Sequence, residues 1–280
     1  MFQEGELDLE IKALKTKYTA ETDTLEKLEP VFSTIKRLKA LIQEKNVAGY
    51  RGILLDFIDV DVRFSACVDL TAKSKLFSII VDDLDSAREV LKLNSQIKGG
   101  VVNIYPLSTI DDVQVKQRKY PESNEVMPLA KQVKLREGAD PRISKLVSNI
   151  FSKVVLVRNY QLAMEVAREF SLTCITPDLQ IVYAGAFITR VGQYNKSAAD
   201  RVSSYGKVAA IQSQVELKIA EKLTLEKQRD KAEDKDLEAM RRMQRAQVSM
   251  NSLKGAFQQF SSMQFEMSNE VEAKKAYIRG

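Results

Sequence analysis

Three acidic residues follow a short apolar run and form the most conspicuous group of potential metal ligands. The run reads FSIIV, and Asp82, Asp83 and Asp85 come directly after it. Carboxylates at the end of a buried strand can hold a divalent cation in α/β enzymes. The chain, however, contains no histidine and no GxxxxGK[ST] loop for a nucleotide phosphate. We therefore interpret these acids as residues that favour a helix start, with Ser86 as a candidate cap, and we predict no catalytic residue, metal site or cofactor.

The two cysteines, Cys67 and Cys174, are the remaining candidates for metal binding or redox chemistry. They lie in the apolar runs FSACVDL and SLTCITP, and the chain contains no CxxC pair. Zinc sites need clustered thiolates or imidazoles, so a zinc site is not expected. An isolated cysteine in an apolar run behaves as a small buried hydrophobic residue. We predict two buried free thiols.

Clustered basic residues could contact a phosphate backbone. The formal net charge is +5, and residues 49–205 hold 21 Lys and Arg against 18 Asp and Glu. This small excess would attract DNA weakly and without reading its sequence. The alternative is that these side chains are ordinary solvated surface residues. The DNA-contact candidates are Lys73, Lys75, Lys131, Lys134, Arg136, Arg190, Lys196 and Arg201.

The elements that position these residues include a repeated unit in the middle of the chain. Residues 77–91 read FSIIVDDLDSAREVL, and residues 154–167 read VVLVRNYQLAMEVA. Each combines an apolar strand-like run with a helical pattern, which predicts an α/β or α+β fold. Two related lobes, about 49–115 and 140–205, would form one domain over 49–205. Strands are predicted at 52–57, 64–70, 76–81, 101–105, 154–157, 173–176 and 180–183, and helices at 86–94, 143–149 and 162–170.

Long heptad patterns flank this domain on both sides. Apolar residues recur at alternating steps of three and four in 1–46 and again in 206–280, which predicts two coiled-coil arms. Pro30 should interrupt the first arm, and Asn46 should help to end it. The first seam is Leu7, Ile11, Leu14, Tyr18, Leu25, Leu28, Phe32, Ile35 and Ile42. The second seam is Met243, Ala246, Met250, Leu253, Phe257, Phe260, Gln264, Met267, Val271, Lys274 and Ile278.

The simplest partner for each arm is the other arm, in antiparallel orientation, with the domain as the turn between them. At about 1.5 Å per residue the first arm would be roughly 65 Å long and the second about 110 Å. The unequal lengths suggest a fragment with a shortened first arm. The alternatives are that the second arm folds back on itself near Gly255 or earlier, or pairs between molecules.

The order of these features resembles the hinge region of the structural maintenance of chromosomes (SMC) family. The segments that carry the resemblance are YRGILLDF, FSACVDLTAKSKLFSIIVDDLDSA, GGVVNIYPL and KVVLVRNYQLAMEVAREFSLTCITPD. Within the family, KYPESNEVMPLAKQV is most similar to a subunit of cohesin. The resemblance implies an α+β two-lobed hinge domain with flanking antiparallel coiled-coil helices.

The resemblance also implies a function. The hinge would pair with a partner SMC hinge, cohesin's other SMC subunit, and so close a ring that embraces DNA in sister chromatid cohesion and chromosome organisation. The implied location is the nucleus, on the chromosome. The fragment itself would not be an enzyme, because the family's ATPase is built from distant chain ends. No run is long and apolar enough to suggest a membrane span, and neither a membrane nor a small-molecule substrate is expected.

A hinge can join its partner by adding edge strands. The candidate interface residues are Gly99, Gly100, Val102, Ala184, Gly185, Phe187, Ile188 and Thr189. The alternative is that the apolar members fill the core and the glycines only turn the chain. The family's usual Gly-Gly pair aligns with Thr189 and Arg190, so a reshaped contact is expected at this corner.

Other functions remain open on the sequence alone. They are a homodimeric SMC relative, a coiled-coil scaffold whose globular domain binds another protein, and a small α/β enzyme on a stalk.

Overall fold

The computed structural model describes residues 2–110, 118–184, 189–190 and 200–279. Contacts divide the chain into a central unit, Lys12–Val215, and a terminal unit formed by Met1–Ile11 with Glu216–Gly280. The helices are α1 (Phe2–Leu28), α2 (Val31–Lys45), α3 (Leu54–Phe57), α4 (Val62–Ala72), α5 (Leu84–Gln96), α6 (Leu107–Ile110), α7 (Arg142–Phe151), α8 (Tyr160–Phe170) and α9 (Arg201–Arg279), with 3-10 turns at Lys73–Phe77 and Leu129–Gln132. The strands are β1 (Tyr50–Ile53), β2 (Ile58–Val60), β3 (Ile79–Val81), β4 (Ile104–Pro106), β5 (Val126–Pro128), β6 (Val133–Leu135), β7 (Val154–Val157), β8 (Thr173–Ile175), β9 (Ile181–Val182) and β10 (Thr189–Arg190).

The repeat predicted from sequence is present in the central unit as two β-α-β units. In the first, β3 is followed by α5 and pairs in parallel with β4. In the second, β7 is followed by α8 and pairs in parallel with β8. A parallel neighbour requires a crossover connection, and a helix supplies it in both units. The two units therefore have the same topology.

The 76-residue offset between the repeats extends to the strand register and to the helix caps. Tyr50 pairs with Val81 across β1 and β3, and their counterparts Val126 and Val157 pair across β5 and β7. The carboxylate of Asp83 accepts a hydrogen bond from the amide of Ser86 and caps α5. Its counterpart Asn159 caps α8 in the same way. The cap of α5 is thus Asp83, and the prediction that Ser86 caps it was wrong.

A two-stranded ribbon joins the lobes. Strands β2 and β6 run antiparallel, and Asp59 lies opposite Lys134 at the ribbon's middle. Helix α4 follows β2 directly and packs near α7. The prediction of a strand at 64–70 was wrong, because this segment forms most of α4. A short apolar run cannot be assigned to strand or helix by its periodicity alone.

Both cysteines are buried free thiols, as predicted. Cys67 belongs to the main core, which runs through both lobes and includes Phe77 and Phe151, each less than 2% exposed. Cys174 belongs to a second core between α8 and the second-lobe sheet. Burial raises the pKa of Cys67 to about 11 and that of Cys174 to about 12.

The first arm is broken where the sequence predicts. Helix α1 ends at Leu28 and α2 begins after Pro30. Helix α2 ends at Lys45 and is followed by its C-cap Asn46, which adopts left-handed backbone angles. The seam residues Phe32 and Ile35 are buried, and so is Leu38, which lies off the predicted seam. Leu38 is buried because α2 also packs against α5 of the first lobe.

In the terminal unit the two arms are antiparallel. Lys218 lies 3.0 Å from Glu10 and Lys222 lies 2.6 Å from Asp8. Residue numbers therefore increase along α9 in the direction in which they decrease along α1. Helix α9 continues without a break past Gly255, so the alternative of a fold-back there was wrong. None of the described helices is both long and apolar enough to cross a bilayer.

Candidate dimer interface

The sheet of the first lobe ends at an open edge. Its strand order is β1-β3-β4, and among the described residues no strand pairs with the outer edge of β4. All three residues of β4 are half-buried. An exposed edge presents unpaired backbone N–H and C=O groups, which form a template for a strand of another chain.

Val101, just before β4, is the most exposed of the large apolar residues here. Its side chain is 87% exposed. The neighbouring Val102 packs instead against the main core. The sequence prediction included Val102 and missed Val101, since two adjacent valines give no signal for which one faces out.

The loop that presents Val101 is anchored to α2. The amide of Gly100 donates a hydrogen bond to Thr34 Oγ1 at 3.3 Å, and Asn94 Nδ2 donates to the Gly100 carbonyl at 3.1 Å. At Gly99 a Cβ atom would lie 2.0 Å from Asn94 Oδ1 and 2.8 Å from Thr34 Cγ2. Gly99 therefore allows close packing inside the chain, and the hydrogen bonds of Gly100 hold the loop before β4 against α2 and α5.

The sheet of the second lobe has two more strands beyond the strand that corresponds to β4. Strand β8, the counterpart of β4, pairs with β9, and β9 pairs with β10, which is the sheet edge. The first-lobe sheet thus ends before the two strands that extend the second. Among the described residues, each lobe thus has one outer strand without a further strand beside it, β4 in the first lobe and β10 in the second.

The second-lobe candidates are residues 184–189, and only part of them can be placed. Ala184 is exposed, and Thr189 pairs with Val182. Gly185, Phe187 and Ile188 lie outside the described residues. Thr189 and Arg190, the positions of the expected glycine pair, form β10, and extended backbone accommodates both residue types readily.

The DNA-contact candidates fall into different environments. Five of them are exposed, namely Lys73, Lys75, Lys131, Lys134 and Arg136. Arg190 is described only as a backbone position in β10, and Lys196 lies outside the described residues. Acidic residues accompany part of this surface. Asp59 lies opposite Lys134, and hydrogen bonds from Arg63, with a smaller effect of Lys134, lower the pKa of Asp61 to about 2.

Arg201 has a structural role instead. Its guanidinium lies 2.9 Å from Glu29 and 3.1 Å from Asp69, whose side chains are 9% and 5% exposed. Burial acts to lower the pKa of Arg201, but the carboxylates outweigh it and the pKa is raised. For Asp69 burial acts in the opposite direction and raises the pKa. The nearby guanidinium of Arg201 lowers it by less, so the pKa of Asp69 stays above its ordinary value. This ion pair ties the start of α9 to the break between α1 and α2.

The acidic cluster after β3 is fully used in local contacts. Asp82 accepts a hydrogen bond from Arg51 at 2.8 Å, and Asp85 accepts one from Arg88 at 2.7 Å. Asp83 caps α5, and the backbone amide of Ser86 lowers the pKa of its carboxyl. The structure therefore supports the interpretation of these acids as helix-start residues.

Part of this chain is similar in sequence to known proteins. Residues 47–167 match the family described as SMC proteins Flexible Hinge Domain. Structural maintenance of chromosomes protein 3 of Arabidopsis thaliana is 27% identical over 142 residues, which are 51% of this chain and 11% of that protein. The chain thus spans about a tenth of the length of that relative.

Two solved structures have a similar fold. The crystal structure of an asymmetric dimer of the Geobacillus stearothermophilus SMC hinge domain matches with a TM-score of 0.50 and 17% identity, over 80% of this chain and 91% of that chain. A structure of the folded elbow of cohesin matches with a TM-score of 0.51 and 19% identity, over 79% of this chain and 36% of that chain. Likeness at these identities concerns the fold, which is the α+β fold predicted. Residues 47–167 therefore match the SMC flexible hinge domain family, and the fold is that of solved SMC hinge structures.

Proposed function

We propose that this chain is the hinge through which a cohesin-type SMC protein pairs with the hinge of a second SMC chain. The observation that carries the proposal is the open β4 edge beside the exposed Val101, within the matched hinge residues. The similarity to structural maintenance of chromosomes protein 3 supports a cohesin-type assignment. An SMC hinge is a non-catalytic dimerisation module, so no catalytic role is assigned.

In the proposed mechanism, backbone hydrogen bonds join the β4 edge of one hinge to the β10-type edge of the other. Strand addition of this kind gains affinity from the backbone and selectivity from adjacent side chains. Each hinge presents one edge of each type, so two such contacts would close a two-fold pair. Val101 would be buried beside the joined strands, and the β9–β10 hairpin with Ala184 and Thr189 would form the opposite half of the contact.

The test uses Val101→Asp, because a buried charge at the joined edge should block association while leaving the fold intact. We expect the complex with the hinge of cohesin's other SMC chain, measured by sedimentation velocity, to weaken at least tenfold, since an unpaired buried charge costs more than about 1.4 kcal/mol. Val62→Asp is the matched control, because Val62 is 82% exposed but lies at the start of α4. Full-strength pairing by Val101→Asp would contradict the proposed surface.

The same measurement separates the second candidate, a homodimeric SMC relative. One solved relative in fold is itself described as an asymmetric dimer of a hinge domain, and the two edges of this chain are also complementary to another copy. A chain that dimerises alone and ignores the other hinge would favour that candidate. A chain that remains monomeric with both would favour a scaffold whose globular domain binds a different protein.

For the whole protein we propose that hinge pairing closes a ring that entraps DNA in chromosome organisation, in the nucleus. Weak DNA contact through the exposed basic residues is part of this proposal. Binding that neutralises several phosphates should fall steeply as salt rises. Lys131→Glu with Lys134→Glu should lower affinity for a duplex of any sequence and flatten the salt dependence, whereas unchanged affinity would remove this surface from the proposal.

A further inference from the structure

Two residues of β4 present their backbone groups to the open edge of the first-lobe sheet. Strand β4 pairs in parallel with β3, and the amide of Ile79 donates a hydrogen bond to the carbonyl of Asn103 at 2.8 Å. Because the backbone groups of successive strand residues point to opposite sides, those of Asn103 and Tyr105 face β3. The backbone groups of Ile104 and Pro106 therefore face outward, where the described residues provide no further strand.

Ile104 can form a complete hydrogen-bonded pair with an added strand. Its N–H and its C=O both face the open edge, and the ladder between β3 and β4 uses neither of them. In an antiparallel pair, a single residue of the added strand would exchange both bonds with Ile104. Ile104 is therefore the residue of β4 at which another strand can join.

Pro106 cannot form such a pair. It has no N–H, and its carbonyl already accepts a hydrogen bond from the hydroxyl of Thr109 at 2.8 Å. A residue of an added strand opposite Pro106 would find no donor for its own carbonyl, and a buried carbonyl without a partner is costly. Proline whose missing N–H faces outward is one way in which proteins protect a sheet edge.

We propose that Pro106 restricts strand addition at β4 to pairing at Ile104, and that it thereby prevents β4 of one copy from pairing with β4 of a second copy. This inference rests on the proposed hinge function, because it concerns the same edge. It adds which strand that edge rejects.

Self-pairing of β4 would be most symmetric with Ile104 opposite Ile104 of the second copy, across a two-fold axis. In that register Val102 of each copy would lie opposite Pro106 of the other. Each Val102 carbonyl would then leave water without gaining a donor, and the symmetry would repeat this loss. A strand that leaves the edge after Ile104 avoids both losses, so the edge selects against its own copy.

The pairing residue is tested by comparing Ile104→Pro with Ile104→Ala, with the hinge of cohesin's other SMC chain as the partner. Both variants remove most of the side chain, but only proline removes the outward N–H. We expect the complex of Ile104→Pro, measured by sedimentation velocity, to be at least tenfold weaker than that of Ile104→Ala. Equal affinities would contradict pairing at Ile104 and would leave the hinge function, which is read from Val101→Asp, intact.

The role of Pro106 is tested by cross-linking of the full chain. In the self-paired register Asn103 of one copy would lie opposite Tyr105 of the other, with Cα atoms about 4.5 Å apart, which a disulfide can span. One tagged chain carries Asn103→Cys, a differently tagged chain carries Tyr105→Cys, and the mixture is mildly oxidised. We expect a disulfide between the chains when both also carry Pro106→Ala, and none when Pro106 is present. The native Cys67 and Cys174 are buried and should not interfere.

Sedimentation equilibrium measures the same effect as a change in affinity. Pro106→Ala should strengthen self-association at least tenfold, because each copy gains an outward donor for the other. Adding Ile104→Pro to this variant should cancel the gain. Pro121→Ala is the matched control, because Pro121 is also half-buried but lies in no strand, and it should change nothing.

Two results would overturn the role of Pro106. A disulfide that forms equally well with Pro106 in place would show that proline does not block self-pairing. Pro106→Ala chains that neither cross-link nor associate more strongly would show that Pro106 is not what prevents it. Neither measurement contains the second hinge, so a failure here is distinct from a failure of the hinge function.

Discussion

The guanidinium of Arg201 lies 2.9 Å from the carboxylate of Glu29, a residue 172 positions earlier in the chain. Glu29 lies in the break between α1 and α2, and Arg201 begins α9. The ion pair therefore holds the start of the second arm beside the interruption of the first. This is the antiparallel relationship between the two arms that the heptad patterns predict, fixed in the central unit by one half-buried cation.

Replacing Arg201 should be costly, because it would leave Glu29 and Asp69 buried without a counter-charge. We expect Arg201→Met to lower the free energy of unfolding by about 3 kcal/mol in urea denaturation. The triple variant with Glu29→Gln and Asp69→Asn should recover much of this loss, since it also removes the stranded carboxylates. Arg63→Met is the control, because that exposed side chain pairs with an exposed Asp61 and should change nothing measurable. An Arg201→Met protein as stable as the parent would contradict the structural role.

Substitutions at Tyr205 and Phe77 compare the contribution of a hydroxyl hydrogen bond to stability with that of aromatic packing. Its hydroxyl donates to the carboxylate of Asp56, and its ring makes edge contacts with Phe32 and Phe77 at 6.1 Å. Tyr205→Phe keeps the ring and should cost about 1.5 kcal/mol, the value of a hydrogen bond to a charged group. Phe77→Ala should cost about 3 kcal/mol or more by leaving a cavity. Equal losses in thermal or urea unfolding would show that the hydroxyl contact matters as much as packing.

The two thiols should be unreactive in the folded protein. Their pKa values of about 11 and about 12 leave little thiolate at pH 8, and the thiolate is the nucleophile. Titration with a thiol reagent at pH 8 should label neither Cys67 nor Cys174 until denaturant is added, and then both. Because burial raises both pKa values above that of a free cysteine, the thiols contribute stability that is fully present below the free thiol's pKa and is lost as pH rises through 11 to 12. Rapid labelling of the native protein would contradict their burial.

Two glycines should respond to alanine in opposite directions. Gly99→Ala would force a methyl group against Asn94 and Thr34, and we expect a loss of about 1 to 3 kcal/mol from this overpacking. Gly206 lies within α9, and a Cβ there would meet nothing within 4 Å. Gly206→Ala should therefore add about 0.5 to 1 kcal/mol of stability by favouring the helix. Urea midpoints that move in the same direction for both variants would contradict this comparison.

Local patterns in the sequence determine much of this protein. Heptad spacing predicted the helical arms, and Pro30 predicted the break between α1 and α2. The similarity of two segments 76 residues apart predicted the two β-α-β units. These features depend on residues close together in the chain, so composition and periodicity reveal them. The apolar runs at 52–57 and 64–70 are exceptions. Residues 54–57 form helix α3 instead of a strand, and residues 64–70 lie in helix α4, which packs against α7 and the 3-10 turn after β5.

Only the tertiary structure decided which residues are partners and which are exposed. Arg201, a DNA candidate by charge, is paired because folding brings Glu29 and Asp69 to it, and Val101 rather than Val102 faces outward because the loop is anchored to α2. Such outcomes depend on contacts between residues far apart in the chain, which a linear pattern does not encode. The open edge of β4 was not predictable for the same reason. Strand order depends on how the strands assemble into a sheet, and the sequence of one strand does not determine it.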